Sequence, residues 1–244
     1  MVIFESADLN HLLLLCAAAA VAGFVRGFSG FGGPATISLL LAHAFFPATL
    51  LPKIVLLDFY AYPLLLWNTR RSALWAVSLP MAAVTILLLP LGLQTMQTLD
   101  PQWLKRLIAI ACLLGTLVAM TGFQFTRMPS LAANLVAAVV LGGILATTFI
   151  ALPIVAYFLL MPMNAATCRA TIISFSVTVM PFLVAILFFK GVLQTLEILP
   201  IAAAGATYFV MIWIGTQVFQ RATERNYRRG AQWFVALLAI SVLL

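Results

Sequence analysis

Charge is what this sequence has least of. Asp, Glu, Lys and Arg make up 8% of its 244 residues, against roughly a quarter in a soluble domain. No polar stretch is long enough to fold as a water-soluble domain. Acids are scarcer still, six against thirteen Lys and Arg. The basic excess is not laid out for nucleic acid, because no Lys/Arg run is interleaved with stacking aromatics. Nucleic acid is therefore not an expected partner. Histidine occurs twice, at His11 and His43, and cysteine three times, at Cys16, Cys112 and Cys168. None has CxxC or metal-ligand spacing, so no metal is expected, and the cysteines read as small buried hydrophobes. The GxxxxGK[ST] string of an ATP-binding loop is also missing, and no cofactor is expected. The first ten residues carry Glu5 and Asp8 and no Lys or Arg, which argues against a cleavable signal peptide.

What the chain has is apolar length: 64% of it is hydrophobic. A membrane crossing takes about 20 apolar residues. Full spans are expected at Ala48–Asn68, Ala73–Gln94, Leu104–Gly122, Ala166–Phe189 and Thr195–Phe219. A last one starts near Tyr227 or Ala231. Charges or turn residues bound them, such as Arg70-Arg71, Asp100-Pro101 and Lys190-Gly191. Trp67, Trp75, Trp103 and Trp233 fall near span ends, as an interfacial belt would. The class is an all-α polytopic membrane protein, with membrane lipid as its surroundings.

Two apolar regions do not fit that count. His11–Phe46 would be roughly 54 Å long as one helix, too long for one span and too short for two with a turn. Leu131–Met161 has the same problem. The first is interrupted by Gly23-Phe24-Val25-Arg26-Gly27-Phe28-Ser29-Gly30-Phe31-Gly32-Gly33-Pro34, the second around Thr147 to Pro153. Each is expected to be a re-entrant pair of half-helices or, alternatively, one long broken span. Sliding the second region under the first pairs Thr148 with Ser29 and Pro153 with Pro34. The chain thus divides into two repeats, 1–125 and 126–244, each an interrupted region followed by three transmembrane helices. With re-entrant regions the second repeat is inverted; with crossing regions the repeats are parallel. The Lys/Arg tally is eight to four in either case, so charge does not choose between them. Both place the Arg221–Arg229 loop in the cytoplasm and both termini outside.

Arg26 is the sharpest signal, an arginine far from any span end. Gly27, Gly30, Gly32 and Gly33 let backbone amides approach a ligand, and a helix starting near Pro34 would aim its positive end there. Guanidinium, bare amides and a helix N-terminus together make an anion site. The competing reading is that Arg26 snorkels or pairs structurally with Asp58. Ser29, Thr36, Ser38, Thr147, Thr148 and Tyr157 are hydroxyls near the two breaks. They would donate to an anion or satisfy carbonyls freed by the breaks, with Ser29, Thr147 and Thr148 the first candidates. Asp58 lies inside an apolar span, where it would couple a proton or pair with Arg26 or Lys53. Lys53 and Arg169 each open a span, as vestibule cations or as ordinary determinants of orientation. Gly27-Phe28-Ser29-Gly30 also matches the GxSG string of intramembrane serine proteases. That chemistry needs a histidine base from a later span, and no histidine follows His43.

The string GFVRGFSGFGGPATISLLLA closely resembles the first-repeat motif of the sulfite exporter TauE/SafE family, also called the 4-toluene sulfonate uptake permeases. GGILATTFIALPIVAYFLL followed by CRAT is similar to that family's second repeat, with Ala146, Phe149, Ala151 and Leu152 where glycines are usual. The resemblance implies transport of small sulfur-containing anions or organic acids. It also implies that the two motif loops face each other at the centre. The resulting expectation is an inner-membrane secondary transporter with no enzymatic activity, binding its anion through Arg26, Gly27, Ser29, Gly30, Gly32, Gly33, Thr147 and Thr148. Asp58 is the candidate proton carrier. A passive anion channel stays open as the alternative, and so does a homodimer.

Overall fold

A computed structural model describes residues 6–41, 47–98, 123–148, 151–191, 198–227, 229–230 and 233. Every regular element among them is an α-helix. In chain order these are α1 (Ser6–Ser29), α2 (Gly33–Leu41), α3 (Pro47–Phe59), α4 (Tyr62–Thr69), α5 (Trp75–Thr98), α6 (Leu131–Thr148), α7 (Leu152–Leu160), α8 (Ala165–Phe189) and α9 (Ile198–Arg221). Among the described residues five helices, α1, α5, α6, α8 and α9, are long and apolar enough to cross a membrane. The expected spans Ala73–Gln94, Ala166–Phe189 and Thr195–Phe219 correspond to α5, α8 and α9. Leu104–Gly122 and the last expected span lie outside the described residues, the latter apart from a few positions near its start.

The stretch Ala48–Asn68 is not one helix but two, α3 and α4. Pro63 explains the break. A proline has no N–H to give to the carbonyl four residues back, and its ring crowds that carbonyl. The helix therefore stops at Phe59, Ala61 N closes a tight turn on Asp58 O at 3.1 Å, and α4 restarts at Tyr62. Asp58 is left at the end of a helix rather than in the middle of one.

The two interrupted regions also differ from pairs of half-helices. α1 has 24 residues and α2 nine; α6 has 18 and α7 nine. Each region is a helix of spanning length followed by a short one. The physical reason is that a glycine inside a helix costs only about 1 kcal/mol, so Gly23 and Gly27 do not stop α1. The stop comes at Gly30 and Gly32, whose φ values of 84° and 83° leave the helical region. The break positions do correspond: Ser29 and Thr148 end the long helices, Gly33 and Leu152 begin the short ones, both about 119 positions apart.

Packing divides the chain into two compact units, Met1–Leu65 with Leu187–Arg221, and Leu66–Ile186 with Ala222–Leu244. These are units of contact and differ in kind from the sequence halves 1–125 and 126–244. In the first unit α1 lies along α9, with their backbones close. A Cβ on Gly23 would meet the main chain of Tyr208, one on Gly27 that of Ile212, and one on Gly215 that of Phe24. This is the small-residue packing by which helices associate where solvent offers no hydrophobic drive. Thr216 Oγ1 adds a long hydrogen bond to Gly27 O at 3.4 Å. In the second unit α5 lies along α6, with Gly92 under Ala146 and Gly142 under Thr85. A buried hydroxyl seam ties α5 to α8, where Ser174 Oγ donates to Ser78 Oγ at 2.8 Å and Leu74 N donates to Thr171 Oγ1 at 3.1 Å.

Two glycine replacements test this packing. Gly27→Ala puts a methyl group against Ile212 backbone, and is expected to lower stability by about 1–3 kcal/mol. In Gly143→Ala the new methyl meets only Leu88 Cδ1, at 4.0 Å, and stability is expected to rise by about 0.4–1 kcal/mol. Thermal unfolding of the two purified variants in detergent reads the difference.

Candidate functional site

Arg26 occupies the last turn of α1, three residues before the helix ends. It and Asp58 are each 2% exposed. Its Nη2 donates to Asp58 Oδ2 at 3.2 Å, and its Nε stands 3.0 Å from Oδ1, off the line of a good hydrogen bond. Its Nη1 donates to Gly30 O at 2.6 Å. Two tyrosines complete the set: Tyr62 OH donates to Asp58 Oδ2 at 2.7 Å and Tyr208 OH to Oδ1 at 2.9 Å. The Arg26 guanidinium carbon also lies 5.8 Å from the centroid of the Tyr62 ring, close enough for a cation–π attraction.

Each partner is delivered by a break. Pro63 ends α3 beside Asp58 and starts α4 at Tyr62, so the acid and the phenol meet across that turn. The stop at Gly30 turns its carbonyl onto Arg26. Gly33 has no side chain where the Tyr208 hydroxyl sits, and a Cβ there would strike it. Burying two ions costs several kcal/mol each, and only good geometry with further hydrogen bonds offsets that. Here the carboxylate accepts from three donors and faces a fourth, and the cluster carries no net charge.

The backbone of the break is held by its own hydroxyls. Ser29 Oγ lies 2.8 Å from Val25 O and 2.6 Å from Phe31 O, and accepts from Phe31 N at 3.2 Å. Thr36 donates to Gly32 O twice, from N at 2.9 Å and from Oγ1 at 2.8 Å. That Thr36 N bond is the first of α2, so the amides of Gly33 and Ala35 precede the helical ladder and form its positive end.

Of the residues singled out from sequence, the structure gathers Arg26, Gly30, Gly33 and Asp58. The pairing of Arg26 with Asp58, read above as the alternative to an anion contact, is present. Ser29 and Gly32 shape the break, and Gly27 lies against Ile212. Thr147 and Thr148 belong to the second packing unit, where they donate to Gly143 O at 2.9 Å and Ile144 O at 2.7 Å. Tyr157 OH donates to Asn134 Oδ1 at 2.9 Å, and the Ser38 side chain lies outside the described residues. Arg169 is buried on α8 and Lys53 half-buried on α3. Among the described residues no group of three His, Cys, Asp or Glu could hold a metal. His11 precedes Ser29 by about 27 Å of helix rise, and His43 lies outside the described residues. Tyr62 and Tyr208 are the members that sequence reading missed. Tyr62 had a signal, one helical turn after the only mid-span acid. Tyr208 had none beyond being a tyrosine in an apolar stretch.

Helices of spanning length and an ion pair sealed inside them at two helix breaks define a multi-pass membrane protein with an internal charged centre. The family described as sulfite exporter TauE/SafE matches residues 15–242, and the chain belongs to that family. No curated protein and no solved structure matches it.

Three substitutions separate the parts of the centre. Asp58→Ala leaves a buried guanidinium without its counter-charge and is expected to cost about 3–5 kcal/mol. Tyr208→Phe leaves Oδ1 one donor short, at about 1–3 kcal/mol. Gly33→Ala is expected to resemble Tyr208→Phe, because it displaces the same hydroxyl. Unfolding midpoints and the monodisperse fraction on gel filtration give the order.

Proposed function

We propose that this protein is a secondary transporter moving a small sulfur-containing or organic anion, such as sulfite or a sulfonate, across the inner membrane. The observation that carries the proposal is the buried Arg26 guanidinium beside the N-terminus of α2, in a chain whose family is described as sulfite exporters. An arginine stays charged wherever it is placed, and its planar fork takes two oxygens of one anion at once. Amides at Gly32 and Gly33 add neutral donors, while Gly27, Ser29 and Gly30 set the backbone that presents them. Thr147 and Thr148 would contribute from the second repeat once their hydroxyl hydrogens leave the helix carbonyls. The repeats 1–125 and 126–244 would rock about the anion and open it to each side in turn, with both chain termini outside. The corresponding breaks after Ser29 and Thr148 support that symmetry. Asp58, the counter-charge of Arg26, would link a proton to this cycle.

Uptake into proteoliposomes tests the role of Arg26. Arg26→Lys keeps a cation against Asp58 but loses the fork, and is expected to lower sulfite or sulfonate uptake by about 10- to 100-fold, the equivalent of one or two charge-assisted hydrogen bonds. Uptake equal to the unmodified protein, at equal reconstitution, would remove Arg26 from the binding site.

A further inference from the structure

The Asp58 carboxylate is itself a small oxyanion, and it is bound as one. Its two oxygens take Arg26 Nη2, Tyr62 OH and Tyr208 OH, with Arg26 Nε alongside. These donors come from three helices, α1, α4 and α9, and nothing in the set is particular to an aspartate. We propose that Asp58 occupies the seat of the transported anion, so that the anion enters only as Asp58 takes a proton and gives up the guanidinium. The inference rests on the transport reading above and adds how the proton is coupled, by competition for one set of donors, and the shape of the substrate.

The charge balance of the cluster supports it. The groups facing the Asp58 carboxylate are Arg26 from α1, Tyr62 from α4 and Tyr208 from α9. α2 carries no titratable residue, and Lys53, the other charged residue of α3, is more than one turn before Asp58. The described cluster therefore holds one positive and one negative charge. A second anion beside an ionised Asp58 would leave it net negative in a desolvated site, where like charges strongly repel. A proton on one Asp58 oxygen restores neutrality and turns the carboxylate into a weaker acceptor. No bond of the transported anion is made or broken: one proton goes onto the carboxylate and one anion onto the donors. Asp58 lies one residue before the end of α3, at the turn into α4, so a rearrangement there that freed its carboxylate would interrupt no helix. Ligands that fit offer two acceptor oxygens along one edge, as sulfite, sulfonates and carboxylates do.

Methanesulfonate is a suitable probe because it stays a monoanion between about pH 5 and 8, so protein groups alone set the pH dependence. Its Kd for the purified full-length protein in detergent is expected to tighten about tenfold per pH unit as pH falls, with about one proton taken up per anion bound. Asp58→Asn is expected to bind methanesulfonate without a pH slope or proton uptake, and more tightly than the unmodified protein at the alkaline end. A flat slope in the unmodified protein, a slope that survives in Asp58→Asn, or no methanesulfonate binding at any pH would overturn the inference. If Asp58→Asn does not fold, the proton count of the unmodified protein decides, and binding without proton uptake overturns it. Proteoliposome flux separates this from the transport reading. Proton-linked binding without flux overturns transport alone, and flux with proton-independent binding overturns the inference alone.

Discussion

A guanidinium cannot lie within apolar helices unless something of opposite charge is brought to it. Much of the first packing unit follows from meeting that requirement at Arg26. The counter-charge is Asp58, and its further acceptor capacity is taken up by two phenols. A buried ion pair with few hydrogen bonds destabilises a fold, whereas a fully bonded one holds a single arrangement at modest net cost. The α1–α9 contact has the same dependence. Gly23 and Gly27 bring α9 close enough for Tyr208 to reach across, and Gly33 leaves the space its hydroxyl fills. Glycines that look like a flexible, ligand-cradling loop thus serve two purposes, some packing helices and some turning the chain.

Broken helices are where this chain concentrates its polar chemistry. Where a helix ends inside apolar surroundings, freed carbonyls and amides must find partners. At the first break they find Arg26, Ser29 and Thr36. At the α3–α4 turn the carboxylate itself is the polar group, and the backbone closes locally on Asp58 O. At the end of α6 the threonines bond back to their own helix. The two interrupted regions share their break positions but not their chemistry: one centres on an ion pair, the other on hydroxyls.

Composition and spacing alone were enough for the class. Scarce charge and long apolar runs determine a helical membrane protein, because every backbone polar group in lipid must be paired within its own segment or within a closed barrel. Proline and glycine positions located the breaks at Ser29–Gly33 and near Thr148, since those residues act on their own backbone. The motif around Arg26 pointed to the family that residues 15–242 match. Local sequence did not show that α1 and α6 run on to spanning length, because a helical glycine costs little and its effect depends on neighbours. Nor did it show the split of Ala48–Asn68, although Pro63 was there to be read.

Only tertiary structure decided what Arg26 touches. Both readings of the arginine, anion grip and ion pair, rest on the same residue at the same depth, and the choice lies in the position of Asp58, 32 residues away. Tyr208 joins the cluster from 150 residues beyond Asp58. Contacts of that separation leave no periodicity or spacing in a single chain. They are set by how closely α1 and α9 pack, which depends on the absence of side chains at Gly23, Gly27 and Gly215 and on the shape of what meets them.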